Sequence, residues 1–305
     1  MWTRPIKPGI SISQAGFGAA TGGTLGCFVE DVTTGHIMLL GNMHVLQFFQ
    51  SAPKLGLLPW TPQSQLDIVQ PCTSELKMMV EQNFRLPSDQ TTQQSMARVW
   101  ASDHPDKPAP GSVEEMKTYY KDKCNQSLAT YIKTCKVATY ARGALAANFD
   151  AAVATLTPGT RWENITPDGT TILAPPPVVS PAGRLWKYGD ASGVKKYANG
   201  AVSVGNVNVP FKTYTTESAS FETPNSAFTQ VPVDFQANHV WLITGENPGM
   251  FQVQGDSGSA LCDANNRLIG LMSTGGMGNT GYAIPIDVVF AQLNIRFPAA
   301  ASGIA

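Results

Sequence analysis

From residue 182 to residue 290 the chain is a succession of short apolar runs, each ended by turn residues before a long helix could form. They are Leu185–Tyr188, Gly200–Val209, Phe228–Phe235, His239–Thr244, Ala260–Cys262, Leu268–Ser273 and Tyr282–Ile286. Between them lie Gly189-Asp190-Ala191-Ser192-Gly193, Asp263-Ala264-Asn265-Asn266 and the glycine-rich residues 275 to 281. Strands repeated at such short spacing can hide their apolar faces only in a closed barrel or a sandwich. Composition agrees. Charged residues are 14%, against about a quarter in ordinary globular chains, and 28 Gly and 22 Pro supply turns. The chain of 305 residues is long enough for one large domain or two ordinary ones.

The first half opens with a hairpin pattern. Thr24–Val32 and His36–Leu40 flank a turn at Thr33-Thr34-Gly35, and the second run leads into Gly41-Asn42-Met43-His44-Val45-Leu46. Residues 47 to 140 differ in character. Ser74 is an N-cap candidate for a short amphipathic helix with Leu76, Met79, Val80 and Phe84 on its apolar face. Ser112-Val113-Glu114-Glu115 opens like a capping box. It predicts a helix over about 112 to 135 that places Met116, Tyr120, Cys124, Leu128, Tyr131 and Cys135 on one face. Asp150 heads the apolar run Ala151–Leu156, which ends at Thr157-Pro158-Gly159. Residues 158 to 181 are proline-rich and read as a linker, and a terminal helix is expected from about Asp287.

Several function classes are disfavoured. The net charge of −1 gives no global field for nucleic acid or an anionic membrane, and the basic stretch Lys117–Arg142 reads as a solvated helix face. Cys27, Cys72, Cys124, Cys135 and Cys262 form no Cys-x-x-Cys pair and have no histidine at ligand spacing. Neither a metal nor another cofactor is expected, and the thiols are expected reduced and mostly buried. The N-terminus lacks the apolar core of a secretory signal, and no run is long and apolar enough for a membrane span, so the expected location is cytoplasmic.

Gln254-Gly255-Asp256-Ser257-Gly258-Ser259 is the stretch with chemical promise. Glycines on both sides of a serine let the backbone bend so that N–H groups converge beside the hydroxyl, an arrangement suited to an oxyanion. The same letters also fit a plain β-turn. A serine nucleophile needs a base, and the base needs an orienting carboxylate. Of His36, His44, His104 and His239, only His44 ends a first-half strand with apolar residues on both sides. Asp150, with small and apolar neighbours, suits the carboxylate better than Asp67, Asp89 or Asp103 in their polar surroundings.

The order His44, Asp150, Ser257 with Gly-Asp-Ser-Gly at the third resembles the chymotrypsin-like serine peptidases, nearest to bacterial members. Gly23-Thr24-Leu25-Gly26 is similar to their start, Gly41-Asn42-Met43-His44-Val45 to their Ser-Asn-Asn-His-Val motif, and Asp150–Val153 to their Asp-Ala-Ala-hydrophobic segment. Lys187–Gly193, Leu268-Ile269-Gly270-Leu271 and Ala283-Ile284-Pro285-Ile286 resemble later family stretches. Met43 and Gly41 depart from the motif.

The resemblance implies an all-β, chymotrypsin-like double β-barrel. Its N-terminal barrel would cover 1–157 with a partly helical insertion at about 47–140, followed by a linker at 158–181. A C-terminal barrel would cover 182–305 and end near a short helix. It implies a serine endopeptidase in which Ser257 attacks, His44 shuttles the proton, Asp150 orients His44, and the N–H groups of Gly255 and Ser257 form the oxyanion hole. Asp256 would make a structural salt bridge or loop hydrogen bond. Phe251, six residues before the serine, would lie at the base of a specificity pocket opposite Ser273, Thr274 and Gly275, or in the barrel core. No carboxylate stands at 251, so a small or apolar P1 residue is expected. The partner would be a protein or peptide substrate, with a regulatory partner a further option at the insertion. The alternatives are a silent binding or scaffold protein on the same fold and a peptidase that cuts once.

Overall fold

The computed structural model describes residues 5–15, 22–46, 67–84, 98, 100–102, 104–106, 113–146, 149–203, 207–214, 228–235, 240–247, 249–275 and 279–305. The chain is predominantly β, with two main units.

The first unit is a curled eight-stranded sheet. Its strands are β1 (Ser11–Gln14), β2 (Gly23–Thr24), β3 (Cys27–Asp31), β4 (Ile37–Gly41), β5 (Asp67–Val69), β6 (Lys136–Ala146) and β7 (Phe149–Leu156), joined by β17 (Ile295–Arg296). They run in the order β17-β3-β4-β7-β6-β5-β1-β2. The second unit is a closed six-stranded barrel, β10-β13-β16-β15-β14-β9. Its strands are β9 (Arg184–Tyr188), β10 (Lys195–Ser203), β13 (Trp241–Gly245), β14 (Ala260–Asp263), β15 (Leu268–Gly275) and β16 (Thr280–Pro285). A hairpin of β11 (Val207–Tyr214) and β12 (Phe228–Phe235) interrupts it between β10 and β13.

Strand alternation divides the apolar residues among three cores. On β4, Leu39 faces the interior of the first sheet while Met38 and Leu40 face the other way; on β7, Ala152 and Ala154 face in while Phe149, Ala151 and Val153 face out. On β14, β15 and β16 the barrel interior takes Leu261, Ile269, Met272 and Ala283, whereas Ala260, Cys262, Leu268, Leu271 and Ile284 point out. The outward sets of the two units pack on each other and form one continuous core between them. A strand buried on both faces needs no polar alternation, which is why these runs read as unbroken apolar stretches.

Both expected insertion helices form. Helix α2 (Thr73–Phe84) follows the four-residue α1 (Met43–Leu46), and α3 (Val113–Thr134) packs on α2 through Leu76, Val80, Cys124 and Leu128. Met79, expected on the buried face, is instead 38% exposed beside Met78. The face that α2 turns to α3 takes Leu76 and Val80, and residues one turn apart dominate it. Met116, Tyr120 and Phe84 lie outside the described side chains. β5 and β6 are strands of the sheet itself, so among the described residues the part outside it runs from 70 to 135. All five cysteines are buried.

The proline-rich stretch carries a short strand, β8 (Arg161–Glu163), which pairs with β18 (Ser302–Ile304). The terminal helix is α4 (Ile286–Leu293). It ends at Asn294 in the left-handed region (φ 50°), and the Arg142 guanidinium donates to the carbonyl of Leu293 at 2.7 Å. A cation on the last carbonyls complements the helix dipole. Arg142 also pairs with Asp31, so one side chain ties the C-terminal helix to the first sheet. No described helix is long and apolar enough to cross a membrane.

Candidate active site

The site is built where the end of β4, the start of β7 and the loop before β14 meet. β4 and β7 are neighbours, with Gly41 opposite Ala152, so α1 leaves the sheet directly over Asp150. Asn42 closes that corner. Its side chain is fully buried and its Nδ2 donates to the Asp150 carbonyl at 2.7 Å. The His44 backbone N–H then donates to Asp150 Oδ1 at 3.1 Å, and the imidazole Nδ1 lies 2.7 Å from Oδ2. An acceptor on that side assigns the ring proton to Nδ1 and leaves the lone pair on Nε2. Asp150 is fully buried and the His44 side chain is 24% exposed, so the ring covers the carboxylate and keeps one edge toward solvent.

Met43, the departure from the histidine motif, turns the other way. It is buried in the first sheet's core, where the Tyr140 hydroxyl donates to its Sδ at 3.3 Å. Burial pushes the Tyr140 phenol up, so it stays a donor.

Ser257 lies in a turn between two glycines in the left-handed region, Gly255 (φ 102°) and Gly258 (φ 93°). The turn is docked onto β2. Thr24 N–H donates to the Ser257 carbonyl at 2.7 Å, and Thr24 Oγ1 donates to the Gly255 carbonyl at 2.7 Å. The approach is close enough to explain the Gly-Thr-Leu-Gly motif. A Cβ on Gly23 would lie 2.4 Å from Val45 Cγ2 and 2.9 Å from the Ser257 carbonyl, and one on Gly26 would lie 2.6 Å from the Gly258 carbonyl. The serine turn is thereby pressed against the segment that carries His44. The N–H groups of Gly255 and Ser257 make no hydrogen bond to a described residue.

Asp256 has the structural part expected of it, and its partner is Lys187 of β9. Nζ lies 2.6 Å from Oδ2 and neither side chain is exposed. Ser192 N–H donates to Asp256 Oδ1 at 2.9 Å and Val253 N–H to Oδ2 at 3.2 Å. Burial pulls the Lys187 ammonium down, while the charge and bond of Asp256 hold it up. A pair this dry persists because both oxygens of the carboxylate accept hydrogen bonds besides facing the cation. Lys187 was open to discovery in the sequence as one lysine in the apolar run Leu185–Tyr188, but nothing local names its partner.

The pocket residues separate. Phe251 is 2% exposed and packs in the barrel interior with Leu185, Trp241 and Met272. Ser273 is fully buried and donates its hydroxyl to Asp150 Oδ2 at 2.8 Å. Thr274 and Gly275 complete β15, with Gly275 opposite Gly281. Elsewhere, His36 precedes β4 and His104 stacks on Trp100 with ring centroids 4.2 Å apart; His239 lies outside the described residues. Among the described residues no three His, Cys, Asp or Glu side chains group as metal ligands.

No family model matches the chain, and no curated protein matches it in sequence. Among solved structures it is similar to the Nocardiopsis protease NAPase, at 10% identity over 96% of this chain and 98% of that one, with a TM-score of 0.45. Thermobifida fusca protease A gives 10% identity over 96% and 98% with a TM-score of 0.46. Cellulomonas bogoriensis chymotrypsin gives 13% identity over 97% and 100% with a TM-score of 0.45.

Proposed function

We propose that the chain is a serine endopeptidase with Ser257 as nucleophile, His44 as general base and acid, and Asp150 as the residue that orients His44. The observation that carries this reading is the buried Asp150 carboxylate, which holds the His44 ring through both its backbone and its Nδ1 beside the glycine-framed serine turn. In this mechanism Ser257 Oγ attacks the scissile carbonyl and its proton passes to His44 Nε2. The proton then goes to the departing amine, and water repeats the sequence on the acyl-enzyme. Asp150 stabilises the imidazolium. The Gly255 and Ser257 N–H groups are the donors for the oxyanion, a contribution of about 10²–10³-fold per donor in such sites.

Labelling the protein with a fluorophosphonate and comparing cleavage-site profiles of wild type and Ser257→Ala tests this directly. The expected result is one label on Ser257, and peptide products that vanish in the variant. No label under any condition would favour a binding protein on this fold. A single self-cleavage product would favour a peptidase that cuts once.

A further inference from the structure

Strand β4 stops pairing with β7 at Gly41, which lies opposite Ala152, and the chain then turns into α1. Asp150 stands two residues beyond that last pair. A carbonyl in the interior must still find a donor. Where β4 has left, the Asp150 carbonyl accepts Asn42 Nδ2 at 2.7 Å. A side-chain amide thus takes the place of the next bond of the ladder.

The same residue is joined to the other two segments of the site. Its backbone carbonyl accepts the Val45 N–H at 3.2 Å and the Leu46 N–H at 3.0 Å, which opens the helix that carries His44. Its backbone nitrogen borders the serine turn, since a Cβ on Gly258 would lie 3.4 Å from it. Asn42 therefore stands where the helix of His44, the strand of Asp150 and the turn of Ser257 come together. Its side chain is fully buried, and its Oδ1 meets no partner among the described residues. A carbonyl opposite the amide fixes which end faces it, because only the NH₂ end donates. The donor end is the part in use.

We propose that Asn42 is a positioning residue that sets how His44 and Asp150 meet. The proposal rests on the reading of His44, Asp150 and Ser257 as a triad and adds a residue to it. Asn42 fixes the start of α1 against the backbone of Asp150, and the carboxylate then reaches both the His44 N–H and Nδ1. Without Nδ2 the Asp150 backbone can withdraw from the corner. The ring then loses the acceptor that selects the Nδ1–H form, and with it the free Nε2 lone pair in part of the population. Asn42 touches neither the attacking hydroxyl nor the proton in transit, so it acts through Asp150. The Ser273 hydroxyl still holds Asp150 Oδ2 from the other unit, so the loss is smaller than that from removing the carboxylate.

The test measures, on the full chain, the rate of fluorophosphonate labelling and the imidazole nitrogen resonances of His44, identified as those missing from His44→Gln. The spectra are taken at about pH 9, above the ordinary histidine range, so that they report the tautomer. Wild type is compared with Asn42→Ala, Asn42→Ser and Asn164→Ala. Serine is a good residue to precede a helix, and its hydroxyl is one bond too short to replace Nδ2. Asn164 is an equally buried amide that bonds the N–H and carbonyl of Phe28 at 2.8 and 3.1 Å, so its variant reports general loosening. Both Asn42 variants should label about 10²-fold more slowly, the loss expected for a misplaced catalytic group. Both should also shift His44 from the Nδ1–H form toward a mixture of tautomers. Asn164→Ala should melt earlier with rate and tautomer unchanged. If Asn42→Ala does not fold, Asn42→Ser alone decides. Asn42 variants that label at the wild-type rate, or an Asn164→Ala that loses rate and tautomer equally, would overturn the proposal. Slower labelling with an unchanged tautomer would overturn the route through Asp150. An unlabelled wild type would count against Ser257 as nucleophile, and the tautomers would still decide whether Asn42 positions His44.

Discussion

Ser273 of the closed barrel donates its hydroxyl to the Asp150 carboxylate of the other unit at 2.8 Å, on the same oxygen that His44 Nδ1 approaches to 2.7 Å. The carboxylate is thus held by both units at once, and its position depends on how they are packed. In the proposed mechanism Asp150→Asn presents a donor to Nδ1 and favours the wrong tautomer, so the labelling rate of Ser257 should fall by about 10⁴-fold, the loss seen for this change in a Ser-His-Asp triad. Ser273→Ala should lower stability by roughly 1–3 kcal/mol through one unmade bond to a buried charge, with a smaller loss of rate. Stopped-flow labelling and urea titration measure both. Equal losses of rate from the two variants would contradict this division of roles.

Gly23→Ala tests the contact between the serine turn and the His44 segment. The new Cβ would meet Val45 and the Ser257 carbonyl, so one must shift. The expected cost is about 1–3 kcal/mol of stability from overpacking. A fall in labelling rate well below the unfolding temperature is also expected. A variant that loses stability but labels at the wild-type rate would show that this contact does not position Ser257.

Lys187→Met should destabilise by about 3–5 kcal/mol, because Asp256 would remain buried without its cation. Adding Asp256→Asn should restore part of this loss by removing the stranded charge. Chemical denaturation of the two variants gives the comparison. A single variant within about 1 kcal/mol of wild type would mean that the pair adds little.

Asp31 predicts an acid limb in stability. Burial would raise its carboxyl, but the Thr34 N–H and the Arg142 guanidinium hold it down to about 2. Its folded value lies below the ordinary 3.8, so its contribution is complete above about 4 and is lost as pH falls through 2. Thermal melts between pH 2 and pH 5 should slope less in Asp31→Asn than in wild type. Parallel slopes would assign the acid limb to other groups.

The Asp190 carboxyl gives stability the opposite dependence. The Asp190 value lies above its ordinary 3.8, so its contribution is full below about 4, declines as pH rises, and is gone above about 7. The two carboxylates therefore act in separate pH windows. Melts of the Asp31 and Asp190 variants can be read independently.

The local sequence determined what periodicity and turn chemistry can determine. Apolar runs cut by Gly, Asn and Asp had to become short strands, Ser74 to Phe84 and about 112 to 135 had the spacing of helices, and glycines around Ser257 required a sharp turn. The motif around His44 was legible for the same reason, since a strand end and the helix after it are set by neighbours in the chain. The partners were not legible. Asp150 lies 106 residues from His44 and 123 from Ser273, and Lys187 lies 69 from Asp256. Nothing in the run Leu185–Tyr188 says that its lysine ends in the dry interior beside a carboxylate. Phe251 fitted a pocket floor or a core equally well until barrel closure turned it inward. Such choices belong to the tertiary structure, because burial decides which charges must find each other, and only the packing of the two units brings those charges within reach.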